Sequence, residues 1–301
     1  RSKGAWSAPS CRPSRWPERT GLPSIHGHCT IAAMNPAHGP DLHPLALVDP
    51  EAQLAGDVRV GPWSVIGPGV ELGAGTVVGP HVVIQGPCRI GRGNAIFQFA
   101  SIGADCQDRK YRGEPTRLEI GDGNVIREHV TIHRGTAQDQ GVTRIGHRNL
   151  LMVGVHVAHD CVLGDDNVLA NGAGLAGHVH LGDGVILGGM TGVHQFCRIG
   201  SHAMAAGMTL VLKDVAAFTM VAGNPARARG LNIEGMRRRS WDSERIASMR
   251  RAYRLVFREG LTLEQALDRV DRGGGEETRF AGIARLPHQP RDRLRAALVG
   301  R

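Results

Sequence analysis

An aliphatic residue returns at every sixth position between Val48 and Val215. The first run reads Val48, Leu54, Val60, Ile66, Leu72, Val78, Ile84, Ile90, Ile96 and Ile102. It resumes at Ile120, Ile126 and Ile132, and again from Ile145 and Leu151 through Ile199, Ala205 and Val211. Gly often fills the second slot of the hexad, as in Ile66-Gly67, Leu72-Gly73 and Leu181-Gly182. The fifth slot is small or compact: Ser64, Thr76, Ala100, Val130, Asn167, Ala173, Thr191. A period of six is too long for a helical face but equals three β-alternations, so every sixth residue of an extended chain faces the same way. Hexads that bury their apolar side only by stacking on one another predict an all-β solenoid, a parallel β-helix. With three hexads to a triangular coil, residues eighteen apart lie above one another. The solenoid then has roughly eight coils about 4.8 Å apart, a prism on the order of 40 Å long. The small fifth-slot residues are expected to turn the corners.

Two breaks interrupt the register, from Asp108 to Glu119 (DRKYRGEPTRLE) and from Gln138 to Arg144. A stacking solenoid has no need of them, and insertions in repeat proteins map to loops on one face, often the binding face. The first is dense in charge, the pattern equally of a solvated loop. After Val215 the pattern changes. Ser243 to Phe257 has helical spacing through Ile246, Met249, Tyr253, Val256 and Phe257, stopped at Gly260. Thr262 with Gln265 reads as a capping box for a second helix through Val270. This small C-terminal α-helical region is expected to cap the open end of the prism. The expected organisation is an N-terminal extension over 1–33, the β-helix over 34–216, the helical region over 217–270 and a basic tail over 271–301.

Composition refines this picture. Aromatics are 4% of the 301 residues, which suits stacked aliphatic ladders. The net charge of +8 sits mostly in the tails. Residues 1–33 carry Arg1, Lys3, Arg12, Arg15 and Arg19 against Glu18, and residues 271–301 carry seven Arg against four acids. The body is nearly neutral and lacks a nucleic-acid module, which argues against a nucleic-acid partner. Cys88, Cys106, Cys161 and Cys197 all occupy the fifth slot; they read as core residues in a reducing compartment and lack metal-site clustering. No apolar run approaches the ~20 residues of a membrane span. The Pro-, Ser- and Arg-rich stretch before Met34 reads as a disordered or non-native extension in preference to an organelle transit peptide.

The histidines are uneven. His156, His159, His178 and His194 fall within about two coils. The eighteen-residue rule stacks His159 under Gly177 and then Gln195, and Asp160 under His178. An imidazole can act as a general base at physiological pH, and a glycine N–H with no side chain in the way suits an oxyanion donor. Exposed histidines on solenoid turns are the bland alternative.

The segments SIGADCQDRKYRGEPTRLEIGDGNVIREHVTIHRGT, NLLMVGVHVAHDC, LAGHV, GGMTGVHQFC and LNIEGMRRR resemble the UDP-N-acetylglucosamine O-acyltransferases, the enzymes of the first step of lipid A biosynthesis. The resemblance covers roughly Met34 to Val270, both breaks included. It implies a cytoplasmic homotrimer of left-handed β-helices with active sites in the clefts between subunits, and no metal or cofactor. It makes His159 the general base on the sugar 3-hydroxyl, Asp160 its partner and the Gly177 N–H the oxyanion donor. Asp108, Lys110, His156, His178, His194 and Gln195 then contact sugar, phosphate and acyl chain. Asn232, Glu234 and Arg238 contact the nucleotide, and Gly207 stands where residue size limits acyl-chain length.

Two geometric conditions follow. Adjacent strand residues face opposite ways, so an Asp160–His159 contact needs a corner there. Gly207 is 48 positions past His159, not a multiple of eighteen, so it reaches the site only across a subunit cleft. Acyl carrier protein, the donor, is acidic and calls for a basic strip, for which Arg109, Lys110, Arg112, Arg237, Arg238 and Arg239 are candidates. A related N-acyltransferase would carry an extra N-terminal sugar-binding domain, which residues 1–33 do not supply. No Ser–His pairing is evident and Cys161 sits in the core slot, so transfer is expected to be direct. Two other readings stand beside this one: a zinc enzyme of the carbonic anhydrase type using His156, His159 and His178, and an inert binding scaffold. The zinc reading leaves Asp108, Gln195 and the Asn232–Glu234 segment without a purpose, and the scaffold predicts that His159→Ala changes nothing measurable.

Overall fold

The walls of the prism are three parallel sheets, seen in a computed structural model that describes residues 39–273. The extension over 1–33, the tail beyond 273, and Cys11 and Cys29 lie outside the described residues. The first sheet runs from Asp41–Leu42 to Thr219–Ala222, the second from Leu47–Val48 to Leu210–Val211 and the third from Gln53–Leu54 to Arg198–Ile199. Strand partners stand eighteen residues apart, Arg59 with Val77 and Val168 with Ile186. The hexad aliphatics point inward as continuous ladders, and Ile66, Ile84, Ile102, Ile132, Leu151, Leu169, Leu175 and Leu187 are essentially fully buried.

The corners are not where the fifth slot was expected to put them. The turns are made by the third and fourth slots, such as Pro62 and Trp63, with the fourth at positive φ in most of them: Trp63 at 57°, Asp160 at 58°, Met208 at 56°. The fifth slot opens the next wall and faces inward, where Ser64, Ala173 and Thr191 are buried. It must be small or hydrogen-bonded because two walls converge there. On one edge it forms a buried ladder of Thr76, Asn94, Asn124, Asn149 and Asn167. Asn124 Oδ1 accepts from the backbone N–H and side-chain amide of Asn149 at 2.9 and 3.0 Å, and the Asn124 amide donates to Asn94 Oδ1 at 3.0 Å and Gly146 O at 3.0 Å.

The solenoid is longer than the hexads suggest at both ends. Asp41–Leu42 precedes Val48, and Thr219–Ala222 pairs in parallel with Met204–Ala205, beyond residue 216. The corner after Val211 is two residues short, so Val215 pairs with Ile199 sixteen positions back, and the last coil falls out of register with the rest. An antiparallel strand, Arg227–Leu231, then covers Thr219–Ala222.

Three helices follow: α1 (Ile233–Arg238), α2 (Ser243–Phe257) and α3 (Leu263–Gly273). On α2 the buried face is Ile246, Met249, Tyr253 and Val256, the positions its spacing picks out. The α3 start carries the reciprocal box, Thr262 N donating to Gln265 Oε1 at 3.0 Å and Gln265 N to Thr262 Oγ1 at 3.2 Å. A second apolar cluster joins Ala216, Ala217 and Phe218 of the last coil to Met236, Met249 and Val256. No helix among the described residues is long and apolar enough to cross a membrane.

Replacing Asn124 by Ala strands the backbone and side-chain N–H groups of Asn149 inside the prism, while Asn94 Oδ1 keeps the Asn124 backbone N–H at 2.8 Å. Each unsatisfied buried group costs about 1–3 kcal/mol, so Asn124→Ala should lose at least about 2 kcal/mol in denaturant unfolding.

Candidate active site

Both inserted segments leave the same edge of the prism. The first departs after Ser101–Ala104 of the second sheet and returns at Arg117–Ile120 of the third. The second departs after Thr131–His133 and returns at Val142–Ile145, again from second sheet to third. On this edge stand His159 and Asp160, Gly177 and His178, and Gln195 and Phe196, each pair the third and fourth slots of its hexad.

The corner settles how neighbouring residues meet. Asp160, at φ 58°, is turned back so that its Oδ2 lies 2.9 Å from His159 Nδ1. Both residues are buried, His159 at 9% and Asp160 at 3% exposure. Asp160 also accepts from Thr136 N at 2.9 Å and Thr136 Oγ1 at 2.6 Å, and its own N–H donates to Thr143 Oγ1 at 2.8 Å. Burial alone would raise its pKa, but the bonds from His159 and Thr136 outweigh that and hold it below the usual carboxylate range. An ionised carboxylate only accepts, so in the neutral ring of His159 the proton sits on Nδ1 and Nε2 is left as the acceptor.

Gly177 lies directly over the His159 ring; a Cβ there would overlap Cε1 and Nε2. Among the described residues the Gly177 N–H has no hydrogen-bond partner. His178 stacks on Phe196 (4.6 Å, 17°) and meets His159 edge to face (5.1 Å, 88°). Its Nδ1 is 2.7 Å from Asp139 Oδ2 of the second inserted segment, and its Nε2 is 3.8 Å from Asp160 Oδ2. Exposed His194 closes onto the Gln195 carbonyl at 3.1 Å, and Gln195 is half-buried. His156 faces outward from the second sheet with Nδ1 2.7 Å from Thr131 Oγ1 and its ring against His133. Burial, then His159, lowers the His156 pKa. His133 is pushed down to about 4, mainly by burial.

The first inserted segment is tied to the prism by Arg134. Its guanidinium donates to Gly86 O at 2.7 Å and Gly103 O at 2.8 Å, pairs with Asp105 and reaches the Tyr111 hydroxyl at 3.3 Å. Asp108 is half-buried and accepts from Lys110 N at 2.9 Å; Lys110 is exposed. The Cys106 thiol is raised, by burial first, with Asp108 and Asp160 adding to the rise.

The remaining expected residues stand elsewhere. Gly207 is exposed on the edge between the first and second sheets, beside Met208 and Met190, which are 77% and 66% exposed. Asn232 lies on the third edge, where sheets three and one meet. It caps α1 by accepting from Gly235 N at 3.0 Å and donates to His202 O at 3.0 Å. Glu234 and Arg238 form an exposed ion pair at 3.3 Å along α1. The three groups thus occupy three different edges of one chain. Sequence reasoning missed Thr136, Asp139, Thr143, Arg134 and Phe196. Thr143 was accessible to the stacking rule, lying eighteen before Cys161, and Phe196 eighteen after His178.

Donor atoms of His159, Asp160 and His178 lie within 4.8 Å of one another, a spacing open to a metal ion. His156, the third imidazole of the zinc reading, is not in that group. The Asp160 oxygens are already taken by Thr136 and His159, so an ion would have to displace those bonds.

A hexad prism with a carboxylate-backed imidazole at one edge defines a hexapeptide-repeat β-helix enzyme. A family model described as UDP N-acetylglucosamine O-acyltransferase, domain 2, matches residues 214–288. The acyl-[acyl-carrier-protein]–UDP-N-acetylglucosamine O-acyltransferase of Psychrobacter sp. (strain PRwf-1) is 57% identical over 76% of this chain and 88% of its own length. That of Stutzerimonas stutzeri (strain A1501) is 57% identical over 76% and 89%. Among solved structures, LpxA from Acinetobacter baumannii superposes with a TM-score of 0.80 at 50% identity, covering 86% of this chain and 99% of that one. The Arabidopsis UDP-N-acetylglucosamine acyltransferase does so with 0.73 at 34%, covering 83% and 98%. The chain belongs to the acyl-[acyl-carrier-protein]–UDP-N-acetylglucosamine O-acyltransferase family. It is an acyltransferase, and its solenoid is the left-handed β-helix of that family.

The depressed histidines set a pH dependence. Unfolded, His133 takes a proton near pH 6.5; folded, only near about 4. Its contribution to stability is therefore complete above 6.5 and is lost as pH falls toward 4. His156, His180 and His202 shift in the same direction. Melting temperature should decline across that window, and less steeply in His133→Gln; parallel curves would remove His133 from the account.

Proposed function

We propose that this chain transfers a 3-hydroxyacyl group from acyl carrier protein to the 3-hydroxyl of UDP-N-acetylglucosamine, the first step of lipid A biosynthesis, in the cytoplasm. The observation that carries the reading is the His159–Asp160–Gly177 corner: a bare imidazole Nε2 beside an unpartnered glycine N–H, within a family whose members bear that activity in their names. In the reaction, Nε2 of His159 takes the proton of the sugar 3-hydroxyl as its oxygen attacks the thioester carbonyl. Asp160 stabilises the imidazolium, and the Gly177 N–H binds the tetrahedral oxyanion. Collapse expels the carrier thiolate, which takes up a proton, and the acyl group is left on the sugar oxygen. No acyl-enzyme is needed; Cys161 is buried with its thiol pushed up to about 12 by burial.

Asp108, Lys110, His156, His178, His194 and Gln195 surround this corner or its edge and are assigned to sugar, phosphate and acyl contacts. Asn232, Glu234 and Arg238 are assigned to the nucleotide, although Asn232 also caps α1. These groups and Gly207 lie on separate edges of one prism, so a complete site calls for neighbouring copies. A homotrimer meets that need. It also gives a partner to the apolar outer face of the first sheet (Val125, Leu150, Val168, Ile186) and to the exposed edge bearing Trp63, Phe99, Met190 and Met208. Arg237, Arg238 and Arg239 at the end of α1, and Arg109, Lys110 and Arg112 on the first inserted segment, are two basic groups on different edges assigned to the acidic carrier.

The test is transfer from 3-hydroxyacyl carrier proteins of graded length to UDP-N-acetylglucosamine. His159→Ala should lose about 10²–10⁴-fold in rate; near-full activity would overturn the assignment. Gly207→Met should move the preference to shorter donors, since a Cβ at Gly207 meets Gly189 O at 3.4 Å and Gly189 N at 3.9 Å and is accommodated. An unchanged length profile would take Gly207 out of the acyl site.

A further inference from the structure

We propose that Asp139, carried by the second inserted segment, is a positioning residue for the transfer, acting through His178. The inference rests on the acyltransfer reading and concerns a residue it does not use. Every group around His178 is accounted for by position. Asp139 Oδ2 lies 2.7 Å from its Nδ1, and Phe196 stacks on the ring from the coil above. From the coil below, the His159 ring meets it edge to face and Asp160 Oδ2 lies 3.8 Å from its Nε2. His180, whose pKa is lowered first by burial, follows on the same wall and also feels Asp139 and His178.

Left to itself, His178 could exchange tautomers or turn its ring by rotation about the Cβ–Cγ bond, and Phe196 would accept either face. The Asp139 carboxylate breaks that degeneracy. As an acceptor-only group it fixes the proton on Nδ1 and leaves the Nε2 lone pair directed into the corner where His159 and Asp160 stand. His178 then offers an acceptor to a substrate hydroxyl, or, when charged, a cation beside Asp160. The His178 side chain is 12% exposed and that of Asp139 38%, so the bond is partly shielded from water and is charge-assisted on the acceptor side. The same contact explains why the prism interrupts its register here. Of the residues between Thr131–His133 and Val142–Ile145, Thr136 orders Asp160 and Asp139 orders His178, so one short segment fixes both carboxylate–imidazole pairs.

The experiment is a double-mutant cycle in transfer kinetics, with Asp139→Ala, Asp139→Asn, His178→Ala and the Asp139→Ala/His178→Ala double variant, each checked for folding by thermal melting. Loss of one bond to a charged group predicts about a tenfold fall in kcat/KM for Asp139→Ala. Asp139→Asn, which keeps an acceptor, should fall less, and the double variant should be no slower than His178→Ala alone. Imidazole ¹⁵N spectra at pH 8 should show His178 protonated on Nδ1 in the wild type and a tautomer mixture in Asp139→Ala. Unchanged kcat/KM in Asp139→Ala overturns the proposal, as do losses that multiply in the double variant or a wild-type His178 protonated on Nε2. A folded wild type that transfers nothing overturns the acyltransfer reading, and the role of Asp139 with it. In that case the spectra still decide whether the Asp139–His178 bond exists.

Discussion

Everything in this chain follows from the requirement that each coil bury its aliphatic wall on the next one. A two-residue strand such as Val162–Leu163 has almost no stability of its own; it exists because Ile145 and Leu181, eighteen residues away in either direction, stack on Leu163 inside the prism. The constraint is unforgiving inside the prism and permissive outside it. Inward positions must be aliphatic, small or, as in the Asn94–Asn124–Asn149–Asn167 ladder, able to bond their equivalents above and below. Outward corner positions need only tolerate the turn, and so the chain can place chemistry there at little structural cost.

That permissiveness changes the meaning of backbone strain at the site. Asp160 and His178 have φ values of 58° and 60°, a region costly for residues other than glycine. Taken alone, this would suggest strain stored for catalysis. Yet Trp63, Arg148, Met190 and Met208 adopt the same conformation on other edges, at 57°, 56°, 57° and 56°. The strain belongs to the corner of a coil and is met by stacking throughout the prism. What distinguishes the His159 edge is the pair of insertions. They bring Thr136 and Asp139 over the corner and anchor Asp108 and Lys110 nearby through Arg134.

The same constraint decides what could be read in the sequence. A period repeated over so many hexads made the prism legible, and the eighteen-residue rule alone stacked His159 under Gly177 and Asp160 under His178. It also put Gly207 on a different edge. What escaped was whatever broke the period. A corner shortened by two residues after Val211 hid the last coil, since Val221 no longer falls in register. The fifth slot was mistaken for the corner because smallness suits both a turn and a place where two walls converge, and only hydrogen bonds such as Ser64 Oγ to Gly79 O distinguish them. The six-residue α1 was too short for periodicity to register. Asp139 was illegible for a deeper reason: within an insertion there is no repeat from which to compute a partner.

The electrostatics of the corner complete the argument. A general base must be unprotonated while its carboxylate partner is ionised, and burial opposes the second condition. The chain meets it with two Thr136 donors and the His159 N–H, which together pull Asp160 below its ordinary range despite desolvation. The neighbouring imidazoles, His133 and His156, are driven toward neutrality by burial, so near neutral pH they do not add positive charge that would compete for Asp160. In the proposed transfer, the imidazolium of His159 would be stabilised by one specific carboxylate instead of a diffuse acidic surface. An ionised carboxylate held by hydroxyl and amide donors, beside imidazoles that burial drives toward neutrality, is an arrangement suited to orienting the imidazole of His159 and backing any positive charge it gains.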